Sequence, residues 1–190
     1  GLLCTSGFRD VLYLRDGFKP ERFNIRLDHP REFVERSLRL GIRERIEADG
    51  TASTDLVEED VRQAAAILRD AEVGAVAIAF LWSIVNPVHE DRAAEILAEE
   101  LPGVKILRSS RVLPEIREWE RTSATTLSAY IAPGIDDYLT RLKAILSEAG
   151  LQRRPLIMQI NGGCASVEET LERPVNALGS GPAAAPAAAV

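Results

Sequence analysis

Cysteine and histidine are scarce in this chain, two of each among 190 residues. Cys4 and Cys164 lie far apart and form no ligand pair, and His29 and His89 are too few for a His-rich metal site. No metal-binding residues are assigned. No structural disulfide is expected, because the chain reads as cytoplasmic. There is no basic run, and the net charge of -6 argues against a nucleic-acid surface. No apolar run approaches the ~20 residues needed to span a bilayer, so no membrane partner is expected. No signal-peptide pattern stands in these residues. Internal repeats are absent, and the closing alanine run is the one low-complexity tract.

What remains is ordinary for a globular protein: 46% hydrophobic and 27% charged residues. The length suits one large or two small domains and is ample for a core. Leu2 to Thr5 reads as the end of a strand, with Ser6 capping a short helix through Leu12 or Tyr13. Gly17 to Pro30 is irregular, punctuated by Pro20, Asn24 and Pro30. Leu38, Leu40, Ile42 and Ile46 share one phase of a two-residue alternation, predicting a half-buried strand turned by Asp49-Gly50. Arg39, Arg43 and Arg45 fall on the other phase, its wet face. Glu44 falls on the apolar phase, where it breaks the pattern.

Val61, Ala64, Ala65 and Leu68 recur at helical spacing within a helix from Glu58 to Ala71. Ala75 to Leu81 is a continuous apolar run of strand length, as expected for a strand covered on both faces. A second amphipathic helix follows from Glu90 to Leu101, then a strand from Val104 to Leu107. Helix, strand, helix and strand at these lengths predict a βαβ-type parallel sheet with packed helices, an α/β fold. Leu156 to Ile160 and Val175 to Leu178 read as further short strands.

The segment from Val112 to Pro133 predicts a helix opened by Pro114, with Glu115 and Glu118 at its positive end. Ile116, Trp119, Ser123, Leu127 and Tyr130 mark its apolar face, so Trp119 is expected to be buried and Thr122 to lie off that face. The other face is crowded with Arg117, Glu118, Glu120, Arg121, Thr122, Thr125 and Thr126. Hydroxyl residues are poor helix filler, because their side chains compete with the backbone. A new helix is expected after Gly134, with Ile135, Tyr138, Leu139, Leu142, Ile145 and Leu146 as its stripe.

Three places invite chemistry. Asn161-Gly162-Gly163 follows a strand directly, where glycines let a backbone approach a ligand and free N–H groups bind anions. It reads either as a plain turn or as a site loop at the carboxyl end of a sheet strand. Ser180-Gly181-Pro182 opens the alanine-rich helix, whose small residues permit close approach to a partner element or a nucleotide. His89 and Glu90 follow Asn86-Pro87 at a helix start, a capping junction more than an acid/base pair. Cys164 reads as a small buried residue, with no His or Asp neighbour in sequence to make a thiol triad.

Five segments in one order carry a resemblance. Gly7-Phe8-Arg9-Asp10, Asn86-Pro87-Val88-His89-Glu90, Leu113-Pro114-Glu115-Ile116-Arg117-Glu118-Trp119-Glu120-Arg121, Met158-Gln159-Ile160-Asn161-Gly162-Gly163 and Ser180-Gly181-Pro182-Ala183 stand in this sequence. Together they resemble the hydantoinase/oxoprolinase family, which includes hydantoinase A subunits, 5-oxoprolinases and acetone carboxylase large subunits. Ala185-Pro186 departs from the further glycine usual there. The resemblance implies a part of the ATPase fold shared by actin, heat-shock chaperones and sugar kinases. It divides the chain into residues 1–112, from the family's N-terminal region, and 113–190, the start of its second domain. The chain has no Gly-Gly-Thr phosphate loop, so it is expected to be an internal section between two such loops.

The resemblance further implies ATP-dependent hydrolysis of a cyclic amide in the cytoplasm, with ATP and Mg²⁺ as cofactors and a hydantoinase B-type subunit as partner. The alternatives are the ATP-using subunit of an acetone-carboxylase-like enzyme and a non-catalytic domain that holds a second subunit through the Arg117–Thr126 face. The site residues implied are Asn161, Arg117 and Arg121 for catalysis and Gly162, Gly163, Ser180 and Gly181 for the cofactor.

Overall fold

The computed structural model describes residues 1–17, 19–28, 31–151 and 153–188. Phe18, His29, Pro30, Gln152, Ala189 and Val190 lie outside the described residues. In chain order the elements are β1 (Leu2–Thr5), α1 (Val11–Leu14), β2 (Arg39–Ile42), β3 (Arg45–Ile46), β4 (Ala52–Thr54), α2 (Glu58–Asp70), β5 (Ala75–Ala79) and α3 (Val88–Glu100). They continue with β6 (Lys105–Arg108), α4 (Ser109–Val112), α5 (Glu118–Glu148), β7 (Leu156–Met158), β8 (Cys164–Ser166), α6 (Val167–Glu172) and α7 (Ser180–Ala188).

Four strands form a parallel sheet in the order β2-β1-β5-β6. The sheet needs cover on both faces, and alternation along β1 and β5 divides the labour. Leu3, Val76 and Ile78 pack with Val61, Ala64, Ala65 and Leu68 of α2 and Ala93, Ile96 and Leu97 of α3. Leu2, Ala77 and Ala79 face the other way, onto Ala129 and Ala132 of α5. Along β5, Val76 and Ile78 serve the first face and Ala77 and Ala79 the second, so α5 can lie close against β5.

The expected βαβ pattern is present, but several local expectations are corrected. Ser6 does not cap a helix; α1 starts at Val11 after Asp10. The alternating run from Leu38 to Ile46 is not one strand. The Arg43 backbone is taken by the start of α2, its N–H by the Asp60 carboxylate at 3.0 Å and its carbonyl by the Val57 N–H at 3.0 Å. β2 therefore ends, and β3 pairs with β4 as an antiparallel hairpin around Asp49-Gly50. Arg39 is no wet-face residue. It is 2% exposed, donates Nε to the Val34 carbonyl at 3.0 Å and pairs with Glu32 and Asp10. Desolvation pulls its pKa down, with Asp10 acting against that.

The α5 helix was phased wrongly from hydropathy. Ile116 is 64% and Tyr130 72% exposed, Trp119 is half-buried, and the buried face is Arg121, Thr122, Thr125, Thr126, Ser128, Ala129 and Ala132. Hydroxyls tolerate this burial because they satisfy themselves on the preceding turn. Thr125 Oγ1 donates to the Arg121 carbonyl at 2.7 Å and Thr126 Oγ1 to the Thr122 carbonyl at 2.8 Å. Of the face from Arg117 to Thr126, Arg121, Thr122, Thr125 and Thr126 are thus spent inside the chain, while Arg117 and Glu118 stay exposed. Nor does Gly134 divide the region, since α5 runs 31 residues straight through Pro133 and Gly134. Of its second stripe only Leu139 is buried, and Tyr138 and Ile145 are exposed.

After α5, β7 pairs among the described residues only with β8, as an antiparallel hairpin outside the parallel sheet. Val175 to Leu178 is not a strand. Pro174 fixes φ and lacks an N–H, and Asn176 N–H turns back to the Arg173 carbonyl at 3.0 Å, giving a 3₁₀ turn over Pro174–Ala177. α6 starts with a capping box: Ser166 Oγ accepts from Glu169 N–H, and the Glu169 carboxylate accepts from Ser166 N–H at 2.9 Å.

Candidate functional site

Ligands of open parallel sheets gather outside the carboxyl ends of the strands. Here those ends are closed by two buried polar networks. In the first, Thr5 ends β1 and donates its hydroxyl to Glu44 Oε1, while accepting the Leu81 N–H at 2.9 Å. His89 Nδ1 lies 2.9 Å from Glu44 Oε2. Glu44 is 4% exposed, so its place on the apolar phase reflects an inward carboxylate with two partners.

The second network joins β5, β6, α3 and α5. Glu90 is fully buried and its carboxylate accepts the Phe80 N–H at 3.0 Å, the Ser109 hydroxyl at 2.6 Å and the Ser110 N–H at 2.9 Å. Arg121, 2% exposed, donates to Ser109 Oγ at 3.2 Å, the Glu115 carbonyl at 3.0 Å and the Phe80 carbonyl at 2.9 Å. Ser109 therefore stands between a buried anion and a buried cation. Burial pulls the Arg121 pKa down, opposed first by Glu90 and then by Glu118. Arg117, one turn back, is exposed, holds φ at 85° just before α5 and reaches Glu120 at 3.4 Å. The two arginines read as a pair in sequence thus have different environments.

Asn161, Gly162 and Gly163 form the turn of the β7–β8 hairpin. Gln159 N–H donates to the Gly163 carbonyl at 2.8 Å, Gly162 has φ +81°, and Asn161 Oδ1 accepts the Gly163 N–H at 2.9 Å. The turn is exposed, and with α6 and the 3₁₀ turn it borders a pocket of ≈ 320 Å³ lined by Gln159, Asn161, Cys164, Glu172, Arg173 and Asn176 among others. Cys164 is exposed here, against the expectation that it is buried. Ser180 and Gly181 begin α7 beside this hairpin. Ile160 N–H donates to the Asn176 carbonyl at 2.7 Å, and an added Cβ at Gly179 would meet Ile160 Cδ1 at 3.5 Å. The hairpin and the α7 start are therefore neighbours, while Arg121 belongs to the network at the sheet. Arg173 Nε reaches back to the Arg111 carbonyl of α4 at 2.8 Å.

Sequence reasoning missed Glu44, Gln159, Glu172 and Arg173, and read Glu90 as a cap. For Glu44 the signal was its break in the alternation. For α6 and its flanking residues it was Ser166-x-x-Glu169, the spacing of a capping box. Among the described residues no group of three or more His, Cys, Asp or Glu is placed to hold a metal ion, and no helix is long and apolar enough to cross a membrane.

Comparison with known proteins follows this geometry closely. Residues 1–101 match the family described as the hydantoinase/oxoprolinase N-terminal region, and residues 121–190 match the hydantoinase/oxoprolinase family. Caprolactamase subunit alpha of Pseudomonas jessenii is 40% identical over 190 residues, covering 99% of this chain and 27% of that protein. The crystal structure of the ATP-dependent caprolactamase from Pseudomonas jessenii superposes with a TM-score of 0.89 at 40% identity, over 100% of this chain and 28% of that one. A nucleotide-free structure of acetone carboxylase gives 0.83 at 28% identity, over 96% and 27%. The chain thus spans about a quarter of the length of these relatives.

Proposed function

The chain belongs to the hydantoinase/oxoprolinase family, and from that premise we propose that the longer protein it represents spends ATP to open a cyclic amide. The observation that carries this reading is the likeness along the whole chain to a subunit of an ATP-dependent caprolactamase. A cyclic amide is a stable ring, and activating its carbonyl oxygen makes it open to water. ATP supplies that activation, and Mg²⁺ would accompany the phosphates. The protein is read as a cytoplasmic subunit with a hydantoinase B-type partner; its two free cysteines suit a reducing compartment.

Among the described residues, the hairpin pocket alone does not compose a nucleotide or Mg²⁺ cradle. The sequence has no Gly-Gly-Thr loop, and the pocket at the hairpin sets Glu169 and Glu172 against the single cation Arg173. No step is therefore routed through these residues to a phosphate. Our assignment is instead of supporting and bordering roles. Glu90, Ser109 and Arg121 lock α5 to the strand ends, making Arg121 a positioning residue. Asn161, Gly162 and Gly163 present a rigid turn toward the reacting partner, with Ser180 and Gly181 placing α7 beside it. Arg117 is the exposed guanidinium available to a developing negative charge.

A second reading, ATP-dependent carboxylation of a ketone, is favoured by the likeness to acetone carboxylase. One experiment separates the two. The longer protein, assembled with its partner subunit, is assayed for ATP hydrolysis with hydantoins, 5-oxoproline, lactams and acetone with bicarbonate. The proposal expects ATP turnover that depends on a cyclic amide; turnover driven by acetone and bicarbonate alone favours the second reading.

A further inference from the structure

Gln159 gives the pocket beside the hairpin an unpartnered acceptor. Gln159 is 5% exposed, and its Nε2 donates to the Ile157 carbonyl at 3.1 Å and to Thr170 Oγ1 at 3.2 Å. The Thr170 hydroxyl proton is given to the Ser166 carbonyl at 2.8 Å, so Thr170 accepts from Gln159. Two acceptors at Nε2 fix which way the amide lies. Oε1 is left with no partner among the described residues, in a nearly buried side chain that lines the pocket. That oxygen is not sealed from solvent, so a molecule in the pocket can supply its donor.

Other groups of the lining are also unspent. Glu172 makes no hydrogen bond or ion pair among the described residues. Arg173 uses only Nε, on the Arg111 carbonyl, so both terminal nitrogens remain free. The Asn161 amide nitrogen is free because only Oδ1 serves the turn. The lining therefore combines an amide oxygen and a carboxylate with a guanidinium and an amide NH₂ group. Inorganic phosphate suits it poorly, since Glu169 and Glu172 repel an anion. A neutral ring leaves both charges unanswered.

We propose that this pocket binds a short linear amino acid as its zwitterion, the ammonium on Gln159 Oε1 and Glu172 and the carboxylate on Arg173 and the Asn161 amide. Hydrolysis of a cyclic amide breaks the ring C–N bond, adds the water oxygen to the carbonyl carbon and leaves the nitrogen as an amine. Its product is one molecule carrying an ammonium and a carboxylate. Calling the ligand the product of ring opening rests on the function proposed above; the affinity for a zwitterion does not.

The test is calorimetric titration of the purified chain at neutral pH with 5-aminopentanoate. Butylamine, pentanoate, 2-piperidone and inorganic phosphate serve as probes of one end, the closed ring and an anion. The expected result is saturable one-to-one binding of 5-aminopentanoate, with every other probe weaker by about tenfold or more. Glu172→Gln and Arg173→Gln should each weaken binding about tenfold or more. Arg173 also holds Arg111, so its variant is read only with an unchanged melting curve, and Glu172→Gln carries the test otherwise. No saturable binding, preferred binding of 2-piperidone or phosphate, or undiminished affinity in Glu172→Gln overturns the proposal. Absent binding beside ATP-coupled ring opening by the longer protein overturns the site and leaves the function standing. Binding in a protein that opens no cyclic amide overturns the product assignment.

Discussion

Replacing Glu90 by Gln tests how the sheet and α5 are held together. Gln keeps the shape and one carbonyl oxygen, but it turns the other acceptor into an NH₂ group. The carboxylate receives three donors, Phe80 N–H, the Ser109 hydroxyl and Ser110 N–H, at 3.0, 2.6 and 2.9 Å. Whichever way the new amide lies, at least one of them meets a donor. An orphaned buried donor costs about 1–3 kcal/mol. Arg121 also loses the anion that does most to offset its desolvation. Breaking buried charge compensation from one side costs about 3–5 kcal/mol. Because Ser109 intervenes between the two charges, these losses overlap and the total should be about 3–5 kcal/mol. For a chain of this size each kcal/mol lowers Tm by about 2–4 °C, so a fall of roughly 6–20 °C is expected. Urea unfolding should show the same loss with an unchanged slope. Arg121→Met in the Glu90→Gln background should be less harmful than the two single losses combined, by about 1–3 kcal/mol. A loss under about 1 kcal/mol, or strict additivity, would refute the idea that one network joins these elements.

Further expectations concern the helix phase, the thiols and acid. Ala129→Leu should destabilise by about 1–3 kcal/mol through overpacking against β5, and Tyr130→Ala by under about 1.5 kcal/mol, its Phe33 ring contact being an exposed one; the reverse ranking in urea would mean the helix is rotated. Burial pushes the Cys4 thiol up to about 12, so a disulfide reagent should titrate one fast thiol, Cys164, in the native chain and two after unfolding; two fast native thiols would contradict the structure. Hydrogen bonds from Arg92 and then Arg62 hold the Glu58 carboxyl down at about 2, below its ordinary 4.5. That depressed folded value contributes stability above about pH 4.5, lost as pH falls toward 2, so Glu58→Gln should flatten this part of the stability curve. Because Glu58 is only partly buried, solvent keeps the effect small. An unchanged acid limb in the variant would remove Glu58 from the account.

The parts of the fold legible in sequence were those where apolarity and burial coincide. The run at β5, the stripes of α2 and α3 and the strand at β6 all place apolar residues inward, and the parallel βαβ order follows from them. The face of α5 was illegible because its buried residues are hydroxyls, alanines and an arginine. Thr125 and Thr126 bury without penalty to the backbone by bonding the previous turn, and Arg121 buries by finding three acceptors in its own chain. Hydropathy points to the opposite face, where Ile116 and Tyr130 are exposed. Leu156 to Ile160 looked like a sheet strand because a short apolar run carries no record of its partner. The Asn-Gly step that ends it is also a strong hairpin signal, and the hairpin is what forms. At the candidate site, the turn at Asn161–Gly163 was legible from its glycines. The wall from Gln159 to Arg173 was not, since residues 14 apart meet only because a 3₁₀ turn and α6 fold back over the hairpin.

The most direct test of the functional account is ATP turnover by the longer protein with its partner subunit, measured at saturating ATP and cyclic amide, with and without Asn161→Ala. Turnover that requires the cyclic amide, and that falls in the variant while thermal stability stays nearly unchanged, is the predicted result. Undiminished turnover in the variant, or ATP hydrolysis indifferent to every cyclic amide, would contradict it.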